Sequence, residues 1–339
     1  MKVAVLTARS ASGVAGGAER LFDALVGALR QIGHDAHEVP VHADESTFDD
    51  ILGNYLYCYD IDLSDYDVVI STKAPTWMVR HPRHVCYLVH TIRVFYDMFD
   101  SVFPAGAKEP LEQRKLLHQI DNLALAPPNC RQIFSIGSEV SERLRRWNHL
   151  EAEVLHPPLW SDMFHGGAQG DYLYLPGRLH PWKRVDLVIR AMKHVRAPLR
   201  LLISGTGEAE DDLRTLAKDD PRIEFLGRVS DEALVDLYAN AFAVPFAPKR
   251  EDYGYVTLEA FASGKPVLTC TDSGEAASIV QHGVSGYICE PDPRSLGKHI
   301  DLLWADQERA RAFGAAGLEW VNKLSWPHIA AKLIEASEI

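Results

Sequence analysis

Two carboxylates, Glu251 and Glu259, stand with seven residues between them, and a glycine, Gly254, lies in that interval. Upstream, Arg178 and Lys183 lie five positions apart in the polar stretch Pro176–Arg184. An arginine fork and a compact lysine charge suit a single anion, above all a diphosphate. Two acids belong beside such an anion only if they accept hydrogen bonds from hydroxyl groups. Sugar and ribose hydroxyls are the obvious donors.

The elements that must hold these groups can be read around them. Ala241–Phe246 is an apolar run that reads as a buried strand, and Ala247-Pro248 breaks it. Val256, Leu258, Phe261 and Ala262 then give a helical pattern that ends at Gly264 and Pro266. Glu251 is therefore expected on the loop at the C-terminal end of a strand, the edge where open α/β sheets bind ligands. The helix that follows offers unbonded N–H groups and a positive dipole end, which suit phosphate. The Arg178/Lys183 loop follows the apolar run Tyr172–Leu175 and falls on the same edge.

The rest of the chain repeats this pattern. Apolar strands are expected at Lys2–Thr7, His37–Val41, Asp67–Ser71, Val85–His90, Gln132–Ile136 and Val154–Leu159. Leu21, Leu25, Leu29 and Ile32 give the first helix, stopped by Gly33. Gly166, Gly167 and Gly170 mark a linker, after which strands recur at Tyr172, Leu199, Ile223, Val267 and Gly286 with helical stretches between them. Alternating strands and helices imply parallel sheets. The fold class is α/β, with two Rossmann-like domains facing across a cleft, residues 1–158 and 159–325. A terminal helical stretch, about 326–339 and marked by Trp326-Pro327, is available to pack back on the first domain.

Composition narrows the function classes. At 339 residues the chain is long enough for two cores, and 47% hydrophobic and 24% charged residues are ordinary for a globular protein. A formal charge of −12 argues against a nucleic-acid partner and against strong attachment to an anionic membrane. A local basic group, Arg143, Arg145 and Arg146 with Arg131, reads as a solvated face. Cys58, Cys86, Cys130, Cys270 and Cys289 are odd in number and without a CxxC, as reduced thiols in a cytoplasmic protein would be. No apolar run approaches the ~18 residues of a spanning helix. At most a peripheral contact at the inner membrane face is expected.

Gly177-Arg178-Leu179 with Lys183, followed in order by Glu251, Gly254 and Glu259, resembles the retaining GT-B glycosyltransferases of family 4. Gly16-Gly17-Ala18-Glu19-Arg20 resembles that family's first glycine loop, near phosphate and acceptor. Val154–Phe164 resembles its inter-domain segment, and Gly264-Lys265-Pro266-Val267 the strand after its donor helix. The resemblance implies an enzyme that moves a hexose-type sugar from a UDP- or GDP-sugar to a hydroxyl acceptor, with retention at the anomeric carbon. The acceptor would be a carbohydrate, a lipid-linked sugar or a small molecule, in polysaccharide, glycolipid or glycoconjugate synthesis.

By the same resemblance, Glu259 accepts from the ribose hydroxyls and Glu251 orients the donor sugar. The N–H groups of Gly254, Tyr255 and Val256 cap the diphosphate, with Arg178 and Lys183 beside them. Val229 lies against the base, and His90 meets the donor sugar from the first domain. Arg93 and Tyr96 are candidate acceptor contacts. Asp60, Asp62, Asp65 and Asp67 could mimic a metal pair, but Asp67 begins its strand and so falls on the edge away from the ligand. No metal and no other cofactor are expected. A nucleotide-sugar epimerase of the same fold and a non-catalytic sugar-nucleotide-binding protein are the alternatives. A dehydrogenase is more distant, because Gly13, Gly16 and Gly17 do not make a G-x-G-x-x-G turn.

Overall fold

The computed structural model describes residues 1–9 and 17–338, and these divide into two compact units. The first comprises Met1–Trp160 together with the segment from Ser325 onward, and the second Ser161–Leu324.

In the first unit the strands are β1 (Lys2–Arg9), β2 (Asp35–His42), β3 (Val68–Lys73), β4 (His84–His90), β5 (Ile133–Ser135) and β6 (Glu153–Val154). They form one parallel sheet in the order β2-β1-β3-β4-β5-β6. β1, β3 and β4 are buried along nearly their whole length, as a parallel sheet covered by helices on both faces requires. The strand expected over Val154–Leu159 pairs at Val154 and through Leu155 N, which donates to Ser135 O at 2.9 Å, and goes no further because Pro157 and Pro158 have no N–H for the ladder. The helix Trp326–Glu338 carries Pro327 in its first turn, where a missing N–H costs nothing. It packs on the helix Gly17–Gln31 and on β4. Arg83 and Arg131 both donate to the carbonyl of Ser337, at 3.1 and 2.9 Å, which pins its last turn.

The second unit holds β7 (Tyr172–Pro176), β8 (Arg200–Ser204), β9 (Ile223–Gly227), β10 (Val244–Pro245), β11 (Val267–Cys270) and β12 (Gly286–Cys289). Two three-stranded parallel sheets, β7-β8-β9 and β10-β11-β12, are joined by a bridge between Leu173 and Ala243. Phe242 donates to Tyr172 O at 2.7 Å and Tyr174 to Ala243 O at 3.1 Å, so the strands run in the order nine, eight, seven, ten, eleven, twelve. Of the six residues expected as strand 241–246, Val244 and Pro245 are in a regular ladder, while Phe242 and Phe246 donate singly, to Tyr172 O at 2.7 Å and to Leu268 O at 2.8 Å. The chain winds outward from β7 and then returns to start again at β10. The strand order therefore reverses between β7 and β10, the kind of switch point where open α/β sheets form a crevice.

Candidate functional site

The loops that leave β7 and β10 flank that switch point, and they carry Lys183 and Glu251. Lys183 ends a short 3-10 turn, Pro181–Lys183, capped by His180, whose Nδ1 accepts from Trp182 N at 3.0 Å. Lys183 Nζ lies 2.7 Å from both carboxylate oxygens of Glu251. Arg178, on the same loop, is exposed and makes no side-chain hydrogen bond or ion pair with a described residue. One loop cation is thus already neutralised, and the other is available for an anion.

Arg184 ties the loops together. It holds a left-handed conformation (φ 50°), and its Nε and Nη2 donate to the carbonyls of Ala247 and Pro248, each at 2.7 Å. The same guanidinium grips both oxygens of Asp272, in the loop after β11, at 2.8 and 2.6 Å. Lys249 N returns a bond to Trp182 O at 2.7 Å. Three loops from three strands are fixed to one another around Lys183 and Glu251.

The backbone of Glu251 is held from behind. Its N–H donates to Ser273 O at 3.2 Å, and its carbonyl accepts from Glu275 N at 2.9 Å. Gly274 sits between those partners at φ 65°, and a Cβ there would stand 2.5 Å from Glu251 N. Only glycine permits this approach.

Gly254 caps the helix Tyr255–Ala262 at φ 78°, with a would-be Cβ 2.7 Å from the Phe246 ring and 3.2 Å from Glu251 Cγ. Thr257 N donates to Gly254 O at 2.9 Å, whereas the N–H groups of Tyr255 and Val256 have no acceptor inside the helix and mark its positive end. Glu259, one turn further on, is buried. Its Oε2 accepts from the hydroxyl of Tyr238 at 2.6 Å. Val229 is half-buried in the turn between β9 and the helix Asp231–Ala239, on the same edge of the sheet. The Gly205-Thr206-Gly207 fragment serves loop packing: Leu179 donates to Thr206 O at 3.0 Å, and Ala209 to Leu179 O at 3.0 Å, which sets the Arg178 loop against the one after β8.

In the first unit, His90 is the last residue of β4, half-buried, with Nδ1 against the carbonyl of Thr91. Gly17 opens its helix, and Gly16 lies outside the described residues. The reading of Tyr96 as an acceptor contact is corrected: its side chain is buried and its hydroxyl donates to Asp121 at 2.6 Å. Asp121 also accepts from Tyr55 and Trp77, at 2.6 and 2.8 Å. Arg93 is ion-paired with the buried Asp97 at 2.8 Å, so the acceptor role read for it would have to compete with that pair. The basic group around Arg143 is not one solvated face. Arg143 is buried against Asp97 at 2.9 Å, Arg145 pairs with Glu142 and Glu151, and Arg131 is bonded to Ser337. Asp67 precedes β3 and accepts from the backbone N–H of Lys2 at 2.6 Å.

Arg184, Asp272, Gly274 and Tyr238 were not singled out from the sequence. Gly274 and Arg184 gave a faint signal, as a glycine and a cation next to strand ends. Tyr238 reads as one more apolar position of a helix.

Residues 168–320 match the model of the family described as glycosyl transferases group 1. A GDP-mannose-dependent alpha-(1-6)-phosphatidylinositol monomannoside mannosyltransferase of Mycobacterium tuberculosis is 36% identical over 175 residues, 47% of this chain and 45% of that protein. A D-inositol 3-phosphate glycosyltransferase of Mycolicibacterium smegmatis is 27% identical over 301 residues, 79% of this chain and 66% of that protein. The chain therefore spans about half the length of the first relative and 66% of the second. Among solved structures, Anabaena HepE in complex with UDP and glucose superposes with a TM-score of 0.74 at 15% identity, covering 100% of this chain and 99% of that one. This likeness shows the fold, GT-B. Arg178, Lys183, Gly254, Glu251 and Glu259 all lie in the part of the chain, residues 168–320, that matches the glycosyl transferases group 1.

Proposed function

We propose that the chain is a glycosyltransferase that moves a sugar from a nucleotide diphosphate sugar to a hydroxyl acceptor, with retention at the anomeric carbon. The observation that carries this reading is the Lys183–Glu251 pair at the switch point, beside the Gly254 helix start. Ion pair, exposed arginine and helix end converge on one loop cluster, as a diphosphate with a sugar attached would require.

On this reading the diphosphate lies at the N–H groups of Gly254, Tyr255 and Val256, with Arg178 closing on it. Lys183 exchanges one partner for another, leaving Glu251 for the phosphate and freeing the carboxylate to accept from the donor sugar's hydroxyls. Glu259 takes the ribose, and Val229 borders the base. As the bond from the anomeric carbon to the diphosphate oxygen breaks, charge grows on the leaving group. Two cations and a fixed helix dipole meet that charge without reorganising, which is where such sites lower the barrier. The acceptor oxygen bonds to the anomeric carbon on the face the diphosphate leaves, and its proton passes to a diphosphate oxygen. The first unit's contribution is proposed to be His90, toward the donor sugar. With two cations and a helix end for the phosphates, the reaction is read as metal-independent.

The donor is a UDP- or GDP-sugar. The M. tuberculosis relative is named as GDP-mannose-dependent, and the Anabaena structure holds UDP and glucose. A carbohydrate or lipid-linked acceptor fits the names of the relatives, whose substrates include a phosphatidylinositol mannoside. No helix among the described residues is long and apolar enough to cross a membrane. A lipid-linked acceptor would be met from the membrane surface, in the cytoplasm.

The test is a panel of UDP- and GDP-sugars, screened by thermal shift and then incubated with candidate acceptors, with and without EDTA. Mass spectrometry of a glycosylated product, undiminished by EDTA, supports the reading. Donor isomerised without transfer would mean an epimerase. Binding without any product across the panel would mean a non-catalytic binding protein.

A further inference from the structure

Tyr238 lies near the end of the helix Asp231–Ala239 and is fully buried. Its hydroxyl has a defined target, Glu259 Oε2 at 2.6 Å. Its ring is boxed in, with Tyr174 edge-on at 5.0 Å and Phe164 at 5.8 Å. Tyr174 is itself anchored, its hydroxyl 2.7 Å from Ser204 Oγ at the end of β8. The Tyr238 hydroxyl therefore stays where it is. Burial, and after it the charge of Glu259, hold this phenol well above the usual tyrosine range, so it remains a donor throughout the physiological range.

The last torsion of a glutamate is soft, and an unanchored carboxylate samples a broad range of orientations. A donor on Oε2 removes that freedom and fixes how the carboxylate is presented to a ligand. Two vicinal hydroxyls need such a fixed plane, since both must donate to one carboxylate. Hydrogen bonds to charged groups in a buried setting are also the strong ones.

We propose that Tyr238 is a positioning residue: it locks the Glu259 carboxylate for the two ribose hydroxyls of the nucleotide and so sets the preference for ribose over 2′-deoxyribose. This rests on the reading of Glu259 as the ribose acceptor under Proposed function. A purely structural tyrosine would lower stability when altered, but would leave the ratio of ribose to deoxyribose binding unchanged.

The experiment is calorimetric titration of the full chain with UDP, GDP and their 2′-deoxy counterparts, for the wild type, Tyr238→Phe, Glu259→Gln and the double variant. Phenylalanine fills the same space, and melting curves check that each variant is folded. The wild type is expected to bind the ribonucleotide about tenfold more tightly than its deoxy form, the order of one hydrogen bond to a charged group. Tyr238→Phe is expected to lose most of that ratio by weakening the ribonucleotide alone, and to add little on top of Glu259→Gln. If Glu259→Gln abolishes the preference while Tyr238→Phe keeps it, the positioning role is overturned and the ribose reading stands. If the wild type binds neither ribonucleotide, the nucleotide site itself is wrong.

Discussion

Lys183 Nζ is equidistant, at 2.7 Å, from the two carboxylate oxygens of Glu251. The pair is partly open to solvent, with side chains 31% and 16% exposed, so it contributes no more than about 1 kcal/mol to stability. On the proposed reading, its importance lies in holding the two groups in register for the donor. Glu251→Ala is expected to abolish transfer, and Lys183→Ala to lower kcat by about a hundredfold, the loss typical of one stabilising donor. Urea midpoints of both variants should stay near that of the wild type. Full turnover by Glu251→Ala would remove the proposed role.

Arg184 links loops separated by up to 88 positions in sequence, through two carbonyls and the Asp272 carboxylate. Arg184→Ala is expected to cost about 2 kcal/mol in denaturant unfolding and to raise the donor KM. Arg184→Lys should not rescue it, because an ammonium cannot fork onto Asp272 while reaching two carbonyls. Rescue by lysine would show that charge alone matters there.

Gly274 and Gly283 both have a positive φ, at 65° and 75°, but not the same surroundings. A Cβ at Gly283 meets nothing within 4 Å, and one at Gly274 meets the backbone of Glu251. Gly283→Ala is expected to cost about 1 kcal/mol from backbone strain alone. Gly274→Ala should cost more than twice that and also depress turnover, since relief of the clash moves Glu251. Equal effects of the two substitutions on activity would contradict the backing role.

His84 is buried in the first unit, 2.8 Å from Ser71 Oγ and 2.9 Å from the carbonyl of Asn129. Burial is the main cause that pushes it down to about 4 from the usual 6.5. Between those values the unfolded chain holds the proton and the folded chain does not. The stability from a neutral His84 is therefore complete above pH 6.5 and is lost as pH falls toward 4. Urea unfolding of wild type and His84→Gln across pH 4 to 7 should show the steeper acid loss in the wild type. Parallel profiles would place the titration elsewhere.

Much of the proposed donor-side site is legible in the sequence as candidate residues, for a physical reason. Lys183, Glu251 and Glu259 are charges set at fixed offsets from apolar runs, and a strand followed by a helix places such charges on one edge without knowledge of distant partners. Arg184, Asp272 and Gly274 were not legible in the same way. Their roles depend on which loop lies next to which, and that follows from the strand order. The first unit misled for the related reason that burial of a polar group is invisible without its partner. Nothing in the sequence next to Tyr96 points to Asp121, which its hydroxyl meets, or next to Arg93 to its ion pair with the buried Asp97 side chain. Tyr238 is the reverse case: its spacing marks a core residue, which it is, and only the 2.6 Å bond to Glu259 reveals a second task.

The first unit is built from two stretches of chain, Met1–Trp160 and the segment from Ser325 onward, whereas the second is continuous from Ser161 to Leu324. During synthesis this reverses the usual order of completion. The second unit has all of its sheet once Cys289 has left the ribosome. The first must wait, with the apolar surfaces of Gly17–Gln31 and β4 uncovered, until Trp326–Glu338 arrives to cover them. Nascent chains stalled before that helix should thus hold a folded second unit attached to an aggregation-prone first one, the state that chaperones would meet.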